Sequence, residues 1–227
     1  MKKGSEAECA SCAVIEGERA CMVPGGKAGK GCPTVGRKKL LKKALEEYKT
    51  DDLKEFARLA SVQEGECYSG RDRQPFVMHP VKPRIVETME FAKKMGYVRL
   101  GLVFCGGLAN EAAAVARIFE NHGFTVVSVV CKAGAVPKEE IGLKDKEKVH
   151  WGEHESMCNP IFQAMVLNEG KTDFNVLLGL CVGHDSMYFK FAEAPTTVLA
   201  VKDRVTGHNP LSAIYLSDKY YSWVMEP

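Results

Sequence analysis

Residues 97–131, YVRLGLVFCGGLANEAAAVARIFENHGFTVVSVVC, carry the pattern from which the fold is read. Two short apolar runs, YVRLGLVFC (97–105) and FTVVSVVC (124–131), flank a stretch whose apolar residues recur every three or four positions. Apolar runs of that length without alternation suit strands covered on both faces. Between them Ala112, Val115, Ala116 and Phe119 fall on one inward stripe of a helix that stops at Gly123. Strand, helix and strand in that order make the crossover unit of a parallel sheet.

The same alternation runs on toward the C-terminus. NPIFQAMVLNEG (159–170) reads as a helix, FNVLLGLC (174–181) as a third strand and DSMYFKFAEA (185–194) as a helix. TTVLAVKD (196–203) reads as a fourth strand and NPLSAIYLSDK (209–219) as a last helix, while the polar stretch 132–156 reads as a loop. Upstream, Leu40, Leu41, Ala44, Leu45 and Tyr48 form one helical stripe, and Leu53, Phe56, Ala57 and Ala60 form a second behind an acidic start. Residues 67–83 mix Gly, Pro and charge as loops do, and a third helix runs from Ile85 to Met95. The expected fold class is α/β: a mainly parallel sheet of about four strands covered by helices, preceded by a cysteine-rich metal-binding segment and amphipathic helices. The divisions expected are 1–36 for the cysteine-rich segment, 37–96 for a helical connecting region and 97–227 for the parallel α/β domain.

A chain of 227 residues with 31 Lys plus Arg against 29 Asp plus Glu has no strong field, so neither nucleic acid nor an anionic membrane is an expected partner. No stretch approaches the ~20 apolar residues of a membrane span, and MKKGSEAECASC turns acidic where a signal peptide turns apolar. A cytoplasmic protein is expected. Its nine cysteines then point to metal or redox chemistry rather than to structural bridges.

Cys105, Cys131 and Cys181 each close a predicted strand, and in a parallel sheet the carboxyl ends share one edge, where ligands bind at the topological switch point. Cys158 precedes Asn159 and Pro160, a cap and first turn for a helix whose start faces the same edge and whose dipole favours thiolate. His208 stands before Asn209 and Pro210 in the same way, His184 and Asp185 follow Cys181, and Lys202, Asp203 and Arg204 follow the fourth strand. The expectation is a second centre lined by Cys105, Cys131, Cys158, Cys181, Arg204 and His208. In it Cys105 or Cys158 is the nucleophile, His184 and Asp185 handle protons, and Arg204 suits an anionic substrate. The alternatives are plain: a free strand cysteine is ordinarily a small buried hydrophobe, Asp185 equally suits a helix cap, and His208 with Asn209 equally suits a capping turn.

Cys9, Cys12, Cys21 and Cys32 form a separate set. The tight pair Cys9–Cys12 fits a metal chelate, and the four glycines of VPGGKAGKG (23–31) let the backbone fold round a centre. Zinc ribbons more often show two tight pairs, and a terminal Cys-Pro is an iron–sulfur cue, so an iron–sulfur cluster (4Fe-4S) is expected with zinc as the alternative.

Several stretches together, CASC with the later Cys21 and Cys32-Pro33, then FCGGLANEA, CKAGAVPKEEIGL, MCNPIFQAMVLN and GLCVGHDSMYFK…APTTVLAVKDRVTGHNPLSAIY, resemble a family of uncharacterised prokaryotic proteins described as predicted metal-binding. The resemblance spans nearly the whole chain. It implies cysteine-bound metal at Cys9, Cys12, Cys21 and Cys32 and implies no reaction. The expected function is a metal-binding protein with redox or sulfur-transfer chemistry at the strand ends, acting with a small-molecule or redox partner. The rival is a non-catalytic zinc or redox sensor. Nucleotide binding is weaker, since FCGGLANE has neither the G-x-G-x-x-G pattern nor a phosphate-loop lysine.

Overall fold

The structure, a computed structural model, describes residues 6–227; residues 1–5, the start of the expected 1–36 segment, lie outside the described residues. Contacts divide the chain into two units, residues 1–62 and 63–227.

In the first unit, residues 6–32 hold little regular structure: single 3-10 turns at Cys9–Ser11 and Glu16–Glu18, and one isolated bridge between Arg19 and Lys27. Glycine shapes this stretch. A Cβ on Gly26 would fall 2.6 Å from the Arg19 carbonyl oxygen, so the backbone closes on itself only because that atom is missing. Helices α1 (Pro33–Gly36), α2 (Lys38–Glu47) and α3 (Asp51–Glu66) follow, the last turn of α3 belonging to the second unit. The α2 stripe forms as its spacing requires, and Leu40, Leu41, Leu45 and Tyr48 are all exposed.

In the second unit the end of α3 is followed by the stretch 67–83, which reads as a loop. It contains one two-residue antiparallel pair, β1 (Tyr68–Ser69) with β2 (His79–Pro80), and a cis Gln74–Pro75 peptide. Helix α4 (Arg84–Lys94) then leads into alternating β3 (Arg99–Phe104), α5 (Ala109–Asn121), β4 (Thr125–Val130), α6 (Pro160–Glu169), β5 (Phe174–Leu178), α7 (His184–Phe191), β6 (Thr196–Ala200) and α8 (Leu211–Tyr215). The four long strands form one sheet in the order β4-β3-β5-β6, every pair parallel. The expected α/β class is what the chain adopts.

The order follows from where apolar side chains sit. All five residues of β5 are buried, as are Leu100, Leu102 and Val103 of β3, so these two strands occupy the centre. Each of the apolar side chains among them is worth roughly 1.5–3 kcal/mol of burial, whereas Asn175 is a buried polar residue. Parallel crossovers are right-handed, so the β3–β4 connection places α5 on one face. The β4–β5 and β5–β6 connections run the other way and place α6 and α7 on the opposite face, where they pack on each other. The chain thus reverses direction between β3 and β5, the position at which a crevice opens beyond the strand ends.

Several boundaries differ from expectation. β3 and β4 stop at Phe104 and Val130, one residue short of their cysteines, and β5 stops at Leu178, three short of Cys181. At Gly179 the backbone turns left-handed (φ +70°), and a Cβ there would collide with Leu108, so the strand ends where the chain must bend over the β3–α5 loop. The last helix is five residues rather than the eleven of 209–219. Pro210, not Asn209, precedes it, because the chain at His208 is left-handed (φ +68°) and the Asn209 N–H is committed to the Thr206 carbonyl at 3.3 Å. The polar stretch 132–156 is a loop with two 3-10 turns, pinned by Lys138–Glu155 and Lys148–Glu139 ion pairs.

Candidate functional site

At the carboxyl edge of the sheet three sulfurs meet. The Phe104–Val130 register pair sets Cys105 and Cys131 side by side just beyond adjacent strands, and the Cys131 N–H continues the ladder to the Phe104 carbonyl at 2.9 Å. Cys158 reaches them from the far end of the long loop because the Asn159 N–H bonds to the Cys131 carbonyl at 2.8 Å. Asn159 caps α6, its Oδ1 accepting the Phe162 N–H at 3.0 Å with Pro160 in the first turn, as the sequence suggested. Gln163, fully buried one turn further on, donates to the Val129 carbonyl (2.8 Å) and the Phe104 carbonyl (3.3 Å), which ties the ends of β3 and β4 to α6.

Cys131 is the middle sulfur, hydrogen-bonded to both Cys105 and Cys158. It is 3% exposed, against partial exposure for the outer two. The interactions with its two neighbours, reinforced by burial, push its thiol up against the lowering effect of the Gly106 N–H, which Cys131 Sγ accepts at 3.2 Å, so Cys131 holds its proton. Donation from Cys131 is the largest influence on Cys105. Burial opposes it, the Gly107 N–H and Lys202 add to it, and the thiol is lowered to about 5. Cys158 is lowered to about 6, again by Cys131 first, with burial opposing, Lys132 and His184 assisting and the Cys105 charge resisting. Cys131 has one proton to donate and so supports one thiolate at a time. Cys105, with a backbone N–H and a lysine of its own, is the first to ionise.

The other expected site residues take different positions. Cys181 accepts from the Arg204 guanidinium at 3.2 Å and stands apart from the thiols of Cys105, Cys131 and Cys158, which interact with one another and are all free. His184 begins α7, and its Nδ1 is buried with no hydrogen-bond partner among the described residues. Asp185 does not hold that imidazole; its Oδ1 accepts the Gly183 N–H (3.0 Å) and the Ser186 N–H (2.7 Å), the cap role. His208 closes its own loop, its Nδ1 accepting the Asp203 N–H at 3.1 Å. Sequence reasoning passed over Lys132 and Gln163 and gave Lys202 no role, although each lysine lies only one or two residues beyond a strand. Position relative to the edge was the signal available.

In the first unit Cys9, Cys12, Cys21 and Cys32 all line one cavity of about 110 Å³, together with Arg19 and Lys27. Gly29 packs so near that a Cβ there would lie 3.0 Å from Cys12 Sγ. Burial opposes ionisation of Cys32, yet the N–H groups of Thr34 and Val35 and the Thr34 hydroxyl outweigh it and lower this thiol. Four soft sulfur donors round one hollow suit a thiophilic ion by kind. They are not drawn into a closed set: among the described residues no group of three or more His, Cys, Asp or Glu is arranged to hold an ion. Nor, among those residues, is any helix long and apolar enough to cross a membrane.

An uncharacterized protein of Methanocaldococcus jannaschii is 42% identical over 193 residues, which cover 85% of this chain and 89% of that relative. No solved structure matches the chain. A family described as "Protein of unknown function (DUF1847)" matches residues 32–199, a span that holds Cys32, the three joined sulfurs, Cys181 and His184 and leaves out Cys9, Cys12, Cys21, Arg204 and His208. With that match over most of its length, the chain belongs to the DUF1847 family.

Proposed function

We propose that this protein is a cysteine-based redox or sulfur-transfer protein whose working group is Cys105, Cys131 and Cys158, and whose segment Cys9–Cys32 is a metal centre. The observation that carries the redox half is the gathering of three cysteines from two strand ends and a helix start at one edge, with the buried Cys131 between the partly exposed Cys105 and Cys158; the lowering of the outer two thiols supports it. Thiolates at neutral pH are the species that attack sulfur. The metal half rests on four thiols facing one cavity. Cys9, Cys12, Cys21 and Cys32 would hold an iron–sulfur cluster, which supplies one-electron transfer, or zinc, which supplies structure.

The test is purification without oxygen, followed by analysis of iron, zinc and acid-labile sulfide and by mapping of cysteine oxidation with mass spectrometry. The expected result is stoichiometric metal that disappears in Cys9→Ser/Cys12→Ser, with edge cysteines that cycle between thiol and disulfide in both proteins. Native protein without metal overturns the metal half. Edge cysteines that stay reduced in excess disulfide overturn the redox half, and metal lost from Cys131→Ser but kept in Cys9→Ser/Cys12→Ser overturns the division between the two sites.

A further inference from the structure

Three sulfurs are one more than a disulfide needs, and their placement sorts them. Cys105 and Cys131 follow a register pair on adjacent parallel strands. Neighbouring strands run ~4.8 Å apart, inside the ~4.4–6.8 Å range of Cα separations that a disulfide spans. Cys131 is buried, whereas Cys105 is followed by Gly106 and Gly107, both exposed and without side chains to screen it. A molecule from solvent therefore reaches Cys105 and not Cys131. The edge is also cationic. Lys202 sits at Cys105, Lys132 acts on Cys158 and Arg204 bonds to Cys181. On the loops after β5 and β6 the carboxylates are turned inward on their own backbones, Asp185 onto Gly183 and Ser186, and Asp203 onto the Val205 and Thr206 N–H groups at 2.9 Å each; on the loop between Lys132 and Cys158, Glu155 pairs with Lys138, and Glu139 and Asp145 pair with Lys148.

We propose that this edge reduces small anionic compounds carrying an S–S bond, with Cys105 as the attacking sulfur, Cys131 as the resolving sulfur and Cys158 as the proton acceptor between the two steps. The inference rests on the redox reading above and adds its substrate class and order. In the first step the Cys105 thiolate attacks one sulfur of the substrate. A Cys105–substrate S–S bond forms, the substrate's own S–S bond breaks, and the far half leaves as a thiolate with the electron pair. Loss of the charge at Cys105 frees the Cys131 S–H to turn to Cys158, which then ionises and gives its own proton to solvent. In the second step Cys131 gives its proton to the Cys158 thiolate and attacks Cys105 Sγ. The Cys105–Cys131 bond forms, the mixed bond breaks, and the remaining half leaves as a thiolate. The substrate gains two electrons and the cysteine pair loses two. A dithiol resets the pair by the same exchange, ending as its own disulfide; Cys158 returns its proton to Cys131 and takes one of the dithiol's two protons, and the other goes to solvent.

The experiment uses the reduced full chain at pH 7 and low ionic strength with three symmetric disulfides: dithiodiglycolate (dianion), 2-hydroxyethyl disulfide (neutral) and cystamine (dication). Mass spectrometry follows which cysteines are oxidised and how fast. The expected product is the Cys105–Cys131 disulfide, formed about tenfold or more faster with the dianion than with the dication. Salt narrows that spread, Lys132→Gln/Lys202→Gln collapses it, and Cys131→Ser accumulates the mixed disulfide on Cys105. Equal or reversed rates on the same cysteine pair overturn the anionic substrate class. First capture on Cys158 overturns the assignment of roles. Failure of all three probes to give any disulfide among the edge cysteines sinks the redox reading itself. The native-chain series needs no variant, so a substitution that fails to fold leaves the decision intact.

Discussion

The most direct consequence of the three-sulfur row is the pH profile of Cys105 toward a neutral alkylating agent such as iodoacetamide. Its thiol is lowered from an ordinary 9.0 to about 5, by Cys131 donation first and then by the Gly107 N–H and Lys202 working against burial. At pH 6 about nine-tenths of such a group is thiolate, against roughly one-thousandth of an unperturbed thiol, a ratio of about 900. A more stable thiolate is also a poorer nucleophile, and a Brønsted coefficient of ~0.45 over that drop costs about 60-fold. Cys105 should therefore react about fifteenfold faster than an ordinary cysteine at pH 6. At pH 8 the thiolate advantage shrinks to about elevenfold and the nucleophilicity loss remains, so Cys105 should be about sixfold slower. The signature is a crossover, with a rate at Cys105 that is flat above about pH 6. Residue-resolved alkylation across pH 4–9, read by mass spectrometry on the anaerobic reduced protein, measures it. In Cys131→Ala, which removes the leading cause, the midpoint should move upward. A native rate that climbs about tenfold per pH unit between 6 and 8 would refute the reasoning, because it would mean that Cys105 has the proton affinity of a free thiol.

Other elements give their own tests. Gln163→Met keeps the volume of the side chain but removes the amide donor from the Val129 and Phe104 carbonyls, the latter keeping the Cys131 N–H. It should cost about 1 kcal/mol in denaturant unfolding, from the lost hydrogen bonds. Asn159→Ala removes the cap on α6 and should cost about 1 kcal/mol; a loss within experimental error would show that Pro160 and packing fix the helix start unaided. Glu155 is lowered to about 2 by Lys138 first, against burial, with the His150 and Val149 N–H groups assisting. A depressed carboxyl contributes stability above its unfolded value near 4.5 that is lost as pH falls through about 2. Thermal unfolding between pH 7 and pH 2 should show that loss in the native chain and little of it in Glu155→Gln.

Much of the fold was readable in advance because its signals are local. Near-continuous apolar strands, a 3.6-residue stripe on Ala112, Val115 and Phe119, and glycine stops act within a few residues, and all of them form as read. The errors lie at ends. GLC continues an apolar run and so reads as strand through Cys181, yet at Gly179 the backbone is left-handed (φ +70°) and Leu108, some seventy residues earlier, fills the space a Cβ would need. GHNP and CNP look alike in sequence, but Asn159 is held against the end of β4 while Asn209 belongs to a turn closed by Asp203 and His208.

The sites divide along the same line. That the cysteines would gather at one edge follows from strand direction, since parallel strands deliver their last residues to a common rim, and the pattern already contained that direction. Which sulfurs touch depended on register: a β3–β4 pairing shifted by one residue would turn Cys105 and Cys131 to opposite faces. The protonated thiol in the middle, the lysines on either side and the departure of Cys181 to Arg204 are long-range placements, set by packing between segments that periodicity treats one at a time.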